Sequence, residues 1–411
     1  MAIARILDVD SRAHVKKSLA ASALGVAVVL ALVPRPLLAE TKPARAPDTA
    51  QGCQLVAHGD GPHGRSHIRV DVIARGLEVP WGIAFVSKTE MLVTERPGRV
   101  RLIRNGRLLK QPVATIPVRA VRESGLLGIA VDPDFARTRA FFVYYTFEKE
   151  GRAVNRVERY RLSEDGRSAT AERVILDDIP SSPLHDGGRI RFGPDRMLYV
   201  STGDARKPEM AQDPRSLSGK LLRMRPDGVV PADNPRRGSA VFLSGVRNSE
   251  GFDWIDPRTI AVTDNGPSGE LGDRRGHDEI DVAKRGDNLG WPVIWGCEAE
   301  TGMVSPSLTW QKAVPPGGAA VYTGDAIPEW KGSLLVGTLA SKHLERIVFD
   351  PYDPRHVVQH ETYLQGDVPS GYGRLRDVVM GMDGQLYVTT SNCDGRGTCP
   401  PESDVILRIT R

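Results

Sequence analysis

The sequence predicts an all-β fold, a six-bladed β-propeller with four-stranded antiparallel blades, and three observations carry that prediction. Turn formers are abundant, 42 glycines and 30 prolines in 411 residues, and long helical periodicity is hard to find beyond the first forty. One phrase recurs: a short strand, a Pro/Asp/Gly turn, then an apolar strand ending in Ser, Thr or an acid. It recurs six times over roughly 340 residues, a spacing near that of one four-stranded unit each. A pair of β-sandwiches would also show short strands and frequent turns, but the regularity of a single phrase favours the ring.

Taken in order, the chain opens with Lys16-Lys17 ahead of an apolar run, Ser18 to Val33, that closes at Pro34-Arg35-Pro36-Leu37-Leu38-Ala39. That pattern predicts an export signal over 1–39, cleaved after Ala39. A retained membrane anchor is the alternative, although the run is short for a full span. Removing the segment takes away five basic and two acidic residues, so the formal charge falls from +4 to +1. A chain so near neutrality has no basic field suited to nucleic acid, and no membrane span is expected in the mature protein.

The four cysteines, Cys53, Cys297, Cys393 and Cys399, suit an oxidising compartment, so a periplasmic or secreted location is expected. Cys393 and Cys399 could close a short loop, which would leave Cys53 with Cys297, although four cysteines allow three pairings. No Cys-x-x-Cys-His occurs, which argues against attached c-type haem.

Residues 40–66, rich in Pro, Ala, Gly and charge, are expected to form a poorly ordered leader into a propeller over 67–411. The six phrases pair 81–85 with 91–95, 128–133 with 141–145, 190–192 with 198–201, 251–254 with 259–263, 320–322 with 333–337, and 377–380 with 385–389. A ring must close without an open edge, so the last strand, 404–409, and the first, 67–73, are expected to share one blade. The weakest patterning, over 301–318, is expected to shape the entrance to the channel.

The third phrase carries the chemistry. It reads Leu184-His185-Asp186-Gly187-Gly188-Arg189-Ile190-Arg191-Phe192, a Gly-Pro-Asp turn, and a strand ending in Ser201-Thr202-Gly203-Asp204. In such a hairpin, a histidine before the first strand and an aspartate after the second come to the same end. A carboxylate beside an imidazole fixes its tautomer and raises its basicity, as a general base near neutral pH requires. Elsewhere Gly245-Val246-Arg247-Asn248-Ser249-Glu250-Gly251 and Gly373-Arg374-Leu375-Arg376-Asp377 place arginines and an amide in loops. Three arginines facing one channel would hold a polycarboxylate, whereas each taken alone could equally pair with a local acid such as Glu250 or Asp377. In Asp264-Asn265-Gly266-Pro267 the Gly-Pro carbonyls could turn towards a hard cation, or simply form a turn. Asp278 and Glu279 read as loop-holding residues and Trp291 as a packing residue.

Together with Ser124-Gly125-Leu126-Leu127-Gly128 and Asp287-Asn288-Leu289-Gly290-Trp291-Pro292, these stretches resemble the soluble quinoprotein glucose/sorbosone dehydrogenase family, in particular its bacterial aldose sugar dehydrogenase branch. The resemblance implies a propeller that binds pyrroloquinoline quinone (PQQ) and Ca²⁺ at the channel mouth and oxidises aldoses at the anomeric carbon to lactones. An external acceptor would take the electrons. Carried over by position, it implies His185 as the base and Asp204 as its partner. The carbonyls of Gly266 and Pro267 would be metal ligands. Arg247, Asn248, Asn265, Arg374 and Arg376 would be PQQ contacts, and Glu123 would stand near the substrate. Two positions depart from the family pattern: Ala340 stands where a PQQ-binding lysine is common, with Lys342 two residues on, and Asn265 stands where a longer Gln or a His is common. A Ca²⁺-dependent lactonase-type hydrolase, or a propeller that binds a sugar or protein without turnover, are the other readings the sequence leaves open.

Overall fold

The computed structural model describes residues 48–49 and 52–411; the export-signal expectation over 1–39 lies outside them. Six antiparallel sheets surround a central axis, each built as the six phrases predict. The first blade runs through Pro80–Ser87, Glu90–Glu95, Arg99–Arg104 and Arg107–Leu108, and the second through Leu126–Val131, Ala140–Lys149, Arg152–Leu162 and Ala169–Pro180. The third comprises Ile190–Phe192, Leu198–Thr202, Lys220–Met224 and Val241–Ser244, and the fourth Gly251–Asp256, Thr259–Asp264, Asp278–Lys284 and Leu308–Trp310. The fifth is Pro316–Val321, Leu334–Thr338, Leu344–Phe349 and Val357–Tyr363. The sixth mixes the two ends of the chain: Leu375–Met380, Leu386–Thr390 and Ile406–Thr410 are completed by Arg69–Ala74. The register runs Thr410 against Arg69 and Ile409 against Val70, so closure uses the predicted strands and leaves no free edge there.

Alternation explains why these strands are buried on both faces. In the third blade Leu198 and Val200 pack towards the second blade, while Tyr199 and Leu221 pack towards the fourth. Six hydrophobic clusters result among the described residues, one in each interface between successive blades. Polar links at the axis add register: Ile83 N–H donates to Asp377 Oδ2 at 2.9 Å, Gly128 N–H to Gly188 O at 3.1 Å, and Val321 N–H to Asp253 Oδ2 at 2.8 Å.

The expectation of a poorly ordered leader over 40–66 needs correction for its described part. Gln54–Val56 adds a parallel strand against Leu308–Trp310, and Cys53 is bonded to Cys297. Gly64 N–H donates to Thr362 O at 2.9 Å. Composition missed this because the segment is held by an edge pairing and a cross-link to distant residues, neither of which leaves a local pattern. The second disulfide joins Cys393 to Cys399, so both suggested pairs form. Among the described residues no helix is long and apolar enough to cross a membrane.

Candidate functional site

The third-blade hairpin brings His185 and Asp204 together as its sequence predicts: His185 Nδ1 lies 2.7 Å from Asp204 Oδ1. A buried carboxylate only accepts, so Nδ1 carries the proton and Nε2 offers its lone pair. Nε2 has no hydrogen-bond partner among the described residues, and the ring, 6% exposed, lines a cavity of about 330 Å³. The backbone is held just as firmly. His185 has φ of 64°, its N–H donates to Glu123 Oε2 at 2.7 Å, and its carbonyl accepts from Ala205 N–H at 3.2 Å. A non-glycine residue in the left-handed region costs about 1–3 kcal/mol and persists only where its surroundings over-determine it. Gly203 is required for this approach, since a Cβ there would stand 2.0 Å from the His185 carbonyl oxygen. The neighbouring Asp186 pins the turn, accepting from Ser124 Oγ at 2.6 Å, Asn155 Nδ2 at 2.9 Å and Ser181 Oγ at 2.8 Å.

Asp204 is fully buried, and its other oxygen accepts the indole N–H of Trp291 at 2.9 Å. Trp291 therefore does more than pack, as its sequence context suggested. It orients the partner of the histidine.

Eight of the ten residues singled out from the sequence line the one cavity: Glu123, His185, Arg247, Asn248, Asn265, Gly266, Pro267 and Arg374. Asp204 lies behind His185. Arg376 does not line the cavity; it is buried beneath it, with Nη1 2.5 Å from Glu250 Oε2 and Nη2 3.1 Å from Asp394 Oδ2. Asn265 spends both amide hydrogens on the carbonyls of Asn248, at 2.9 Å, and Pro316, at 3.1 Å, which leaves only its oxygen for a ligand. Asn248 accepts from Gly187 N–H at 2.9 Å and keeps its amide hydrogens. Ala313 and Pro315, from the weakly patterned stretch, form part of the wall.

The arginines are not bare cations. Arg374 is bound through Nε and Nη2 to Asp394 Oδ2, at 3.0 and 2.7 Å. Arg247 pairs with Glu270, donates to Asn265 O at 2.7 Å, and stacks 5.4 Å above the Trp291 ring. Burial would lift the Glu270 carboxyl, but the Arg247 guanidinium outweighs it and holds the group down at about 2. Sequence reasoning missed Asp394 and Glu270 as partners. Asp394 sits in the Cys393–Cys399 loop, where its Oδ1 also accepts Arg396 N–H at 2.9 Å, so the disulfide-closed loop carries the anchor for two arginines and a third arginine at the rim.

In the wall that Gly266 and Pro267 contribute, their carbonyls accept no hydrogen bond among the described residues. Asp278 fixes that turn, accepting Gly266 N–H at 2.7 Å and Val314 N–H at 2.6 Å. A Cβ at Gly266 would meet Gly276 O at 2.3 Å, so the close backbone approach needs glycine. Two uncommitted carbonyls, an asparagine amide and two oriented arginines form a donor set that fits a hard cation beside a planar polycarboxylate.

Behind this wall Asp264, Glu279 and Asp281 bring carboxylate oxygens within 4.8 Å of one another, close enough to share a cation, yet none of them lines the cavity. Burial lifts Asp264 to about 7 and Asp278 to about 6, and pushes Glu279 and Asp281 well above the carboxylate range. Each acid is raised above its unfolded value, so the folded state keeps protons that the unfolded state has lost. The penalty is absent below about pH 4, grows as pH rises, and is complete above the folded values. Thermal midpoints measured without divalent ions should fall between about pH 5 and pH 8, and added Ca²⁺ should flatten the fall. A midpoint that climbs over that range would contradict this account.

Comparison with known proteins identifies the family. Residues 77–407 match the family described as Glucose / Sorbosone dehydrogenase. The chain belongs to that family. The aldose sugar dehydrogenase of Escherichia coli K12 is 31% identical over 354 residues, 80% of this chain and 91% of that protein. The PQQ-bound aldose sugar dehydrogenase of Streptomyces coelicolor is 32% identical, with a TM-score of 0.74 over 85% of this chain and 99% of that one. A Thermus thermophilus protein provisionally described as a glucose dehydrogenase oxidoreductase is 42% identical, with a TM-score of 0.75 over 84% and 100% of the two chains. Two of these relatives are named aldose sugar dehydrogenases, and one of the two was solved with PQQ bound.

Proposed function

We propose that this protein oxidises aldose sugars at the anomeric carbon to lactones, with PQQ and Ca²⁺ bound in the cavity and an external acceptor taking the electrons onward. The observation that carries the reading is the free Nε2 of His185, backed by Asp204 and Trp291, at a cavity that Gly266 and Pro267, with uncommitted carbonyls, also line.

When bound, PQQ supplies the two-electron acceptor and Ca²⁺ its polarisation. The chain's own residues do the rest. His185 Nε2 takes the proton of the anomeric hydroxyl while the C1 hydrogen departs as hydride. The positive charge that develops on the ring is balanced by the Asp204 carboxylate 2.7 Å from Nδ1. Gly266 and Pro267 would ligate the cation. Arg247, Asn248, Arg374 and the Asn265 oxygen would hold the cofactor rim, with Arg376 supporting Arg374 through their shared Asp394. Glu123, anchored by Arg396 at 2.8 Å and by the His185 N–H, stands beside the base on the substrate side.

The position of the family lysine is Ala340, which lines the cavity with no cation to offer, and Lys342 turns away to Asp367. Loss of one charge-assisted hydrogen bond weakens PQQ binding by about 1.5–3 kcal/mol. Titrating the cofactor-free protein with PQQ in Ca²⁺, while following tryptophan fluorescence and aldose-dependent dye reduction, tests the reading. Saturable binding with sugar-dependent turnover is the expected result; no binding at micromolar PQQ would overturn it. The two disulfides support a periplasmic or secreted setting. The lactonase alternative expects carboxylates gathered on a metal in the channel, whereas the converging carboxylates of this chain lie outside the cavity.

A further inference from the structure

Four arginines line the cavity: Arg206, Arg247, Arg374 and Arg396. Three have a carboxylate in contact, Glu270 for Arg247, Asp394 for Arg374 and Glu123 for Arg396. Arg206 has none within 4.0 Å among the described residues, and its guanidinium donates no hydrogen bond among them. The acids beside the base are already committed. Glu123 is engaged on both oxygens, by Arg396 and by the His185 N–H, and Asp204 is fully buried with its oxygens taken by His185, Trp291 and the backbone of Arg206.

The position of this cation is fixed from the backbone. Arg206 N–H donates to Asp204 Oδ1 at 2.8 Å, on the same oxygen that His185 approaches, and Ala205 and Arg206 both adopt left-handed conformations, φ of 52° and 63°. The exposed side chain therefore starts one short link from the base and lies along the cavity wall. Arg396 stands at the same rim, its side chain half exposed, on a loop that Asp394 and the Cys393–Cys399 bond hold in shape. Both arginines are tied to the dyad through one residue each: Arg206 through its N–H on Asp204, and Arg396 through the Glu123 that also holds the His185 N–H. Of the four cavity arginines, Arg206 alone has no carboxylate in contact among the described residues.

We propose that the preferred substrate is an anionic aldose, a sugar with a free anomeric hydroxyl and a carboxylate or phosphate on a remote carbon, which Arg206 binds with Arg396 in support. This rests on the aldose dehydrogenase reading and names its substrate class. An anion in a partly dehydrated pocket forms charge-assisted bonds with a planar guanidinium, about twice as strong as neutral ones. The anionic group is a spectator to the redox step: the anomeric hydroxyl would still give its proton to His185 and C1 its hydrogen as hydride, with PQQ, when bound, supplying the two-electron acceptor and the external acceptor taking the electrons onward. The product is the lactone of the corresponding sugar acid, its remote charge unchanged.

The test compares kcat/KM of the PQQ- and Ca²⁺-loaded protein for glucose and galactose with that for glucuronate, galacturonate and glucose 6-phosphate. At least tenfold preference for an anionic sugar is expected, carried by KM and shrinking as NaCl rises from about 20 to 500 mM. The uronates and the phosphate ester, run side by side, decide which anion the site takes. Arg206→Ala should erase most of the preference, Arg206→Lys should keep part of it, and Arg396→Gln should lower it less. Equal or better use of the neutral sugars, or a preference untouched in Arg206→Ala, overturns the inference while the dehydrogenase reading stands. Turnover of no sugar of either kind, with PQQ bound, overturns both.

Discussion

Replacing His185 with glutamine is expected to lower kcat/KM for aldose oxidation by about a hundred- to ten-thousand-fold, the usual contribution of a positioned general base. Glutamine roughly preserves the volume and can still hydrogen-bond Asp204, but offers no atom basic enough to take a hydroxyl proton near neutral pH. PQQ affinity, read by fluorescence, should change by no more than a few-fold, because the proposed cofactor contacts lie on other loops. That split separates a base from a cofactor ligand: parallel loss of PQQ binding would reassign His185 to the cofactor. Asp204→Asn should also be severe. An amide in place of the carboxylate can present N–H to Nδ1 and trap the wrong tautomer, and it cannot balance an imidazolium. Trp291→Phe removes the 2.9 Å bond to the second Asp204 oxygen and keeps an aromatic ring beneath Arg247, so its effect should be a smaller loss in kcat of the same character.

Much of the site was legible because two of its devices are local. The hairpin from Leu184 to Asp204 declares itself by strand, turn and strand, and period-two geometry does the rest: Ile190 pairs with Val200 and Phe192 with Leu198, which delivers His185 and Asp204 to one end. The ring was legible for a similar reason, since each blade repeats a phrase that cannot bury its faces alone. What stayed hidden was long-range pairing. Nothing near Arg376 in sequence says that Glu250, in the loop before the fourth blade, will reach it, or that Arg247 will find Glu270 across a turn. Those carboxylates decide which arginines can still bind a ligand. Sequence alone treated three arginines as equivalent, whereas burial removes Arg376 from the wall, and an unremarked one, Arg206, is the cavity arginine with no carboxylate in contact among the described residues.

Lys220 shows how a residue with no chemistry of its own can govern the dyad. It is fully buried in the third strand of the third blade, where an unpaired ammonium would be costly, and its three hydrogens meet three backbone carbonyls: Met210 at 2.7 Å, and Ala211 and Ser218 at 2.8 Å. All three carbonyls belong to the long connection that leaves Asp204 and returns at Gly219. Lys220→Met keeps the apolar stem but strands three buried acceptors, and should cost about 3–5 kcal/mol in chemical denaturation followed by tryptophan fluorescence. Arginine should not rescue it, since a planar fork cannot serve three carbonyls converging on one point. A loss below about 1 kcal/mol would mean that water satisfies those carbonyls and that the lysine is dispensable. The same substitution should lower kcat more than it weakens PQQ binding. The connection also carries Gln212, whose side-chain N–H holds the Trp291 carbonyl at 2.6 Å, so loosening it releases both the aspartate and the indole that orients it.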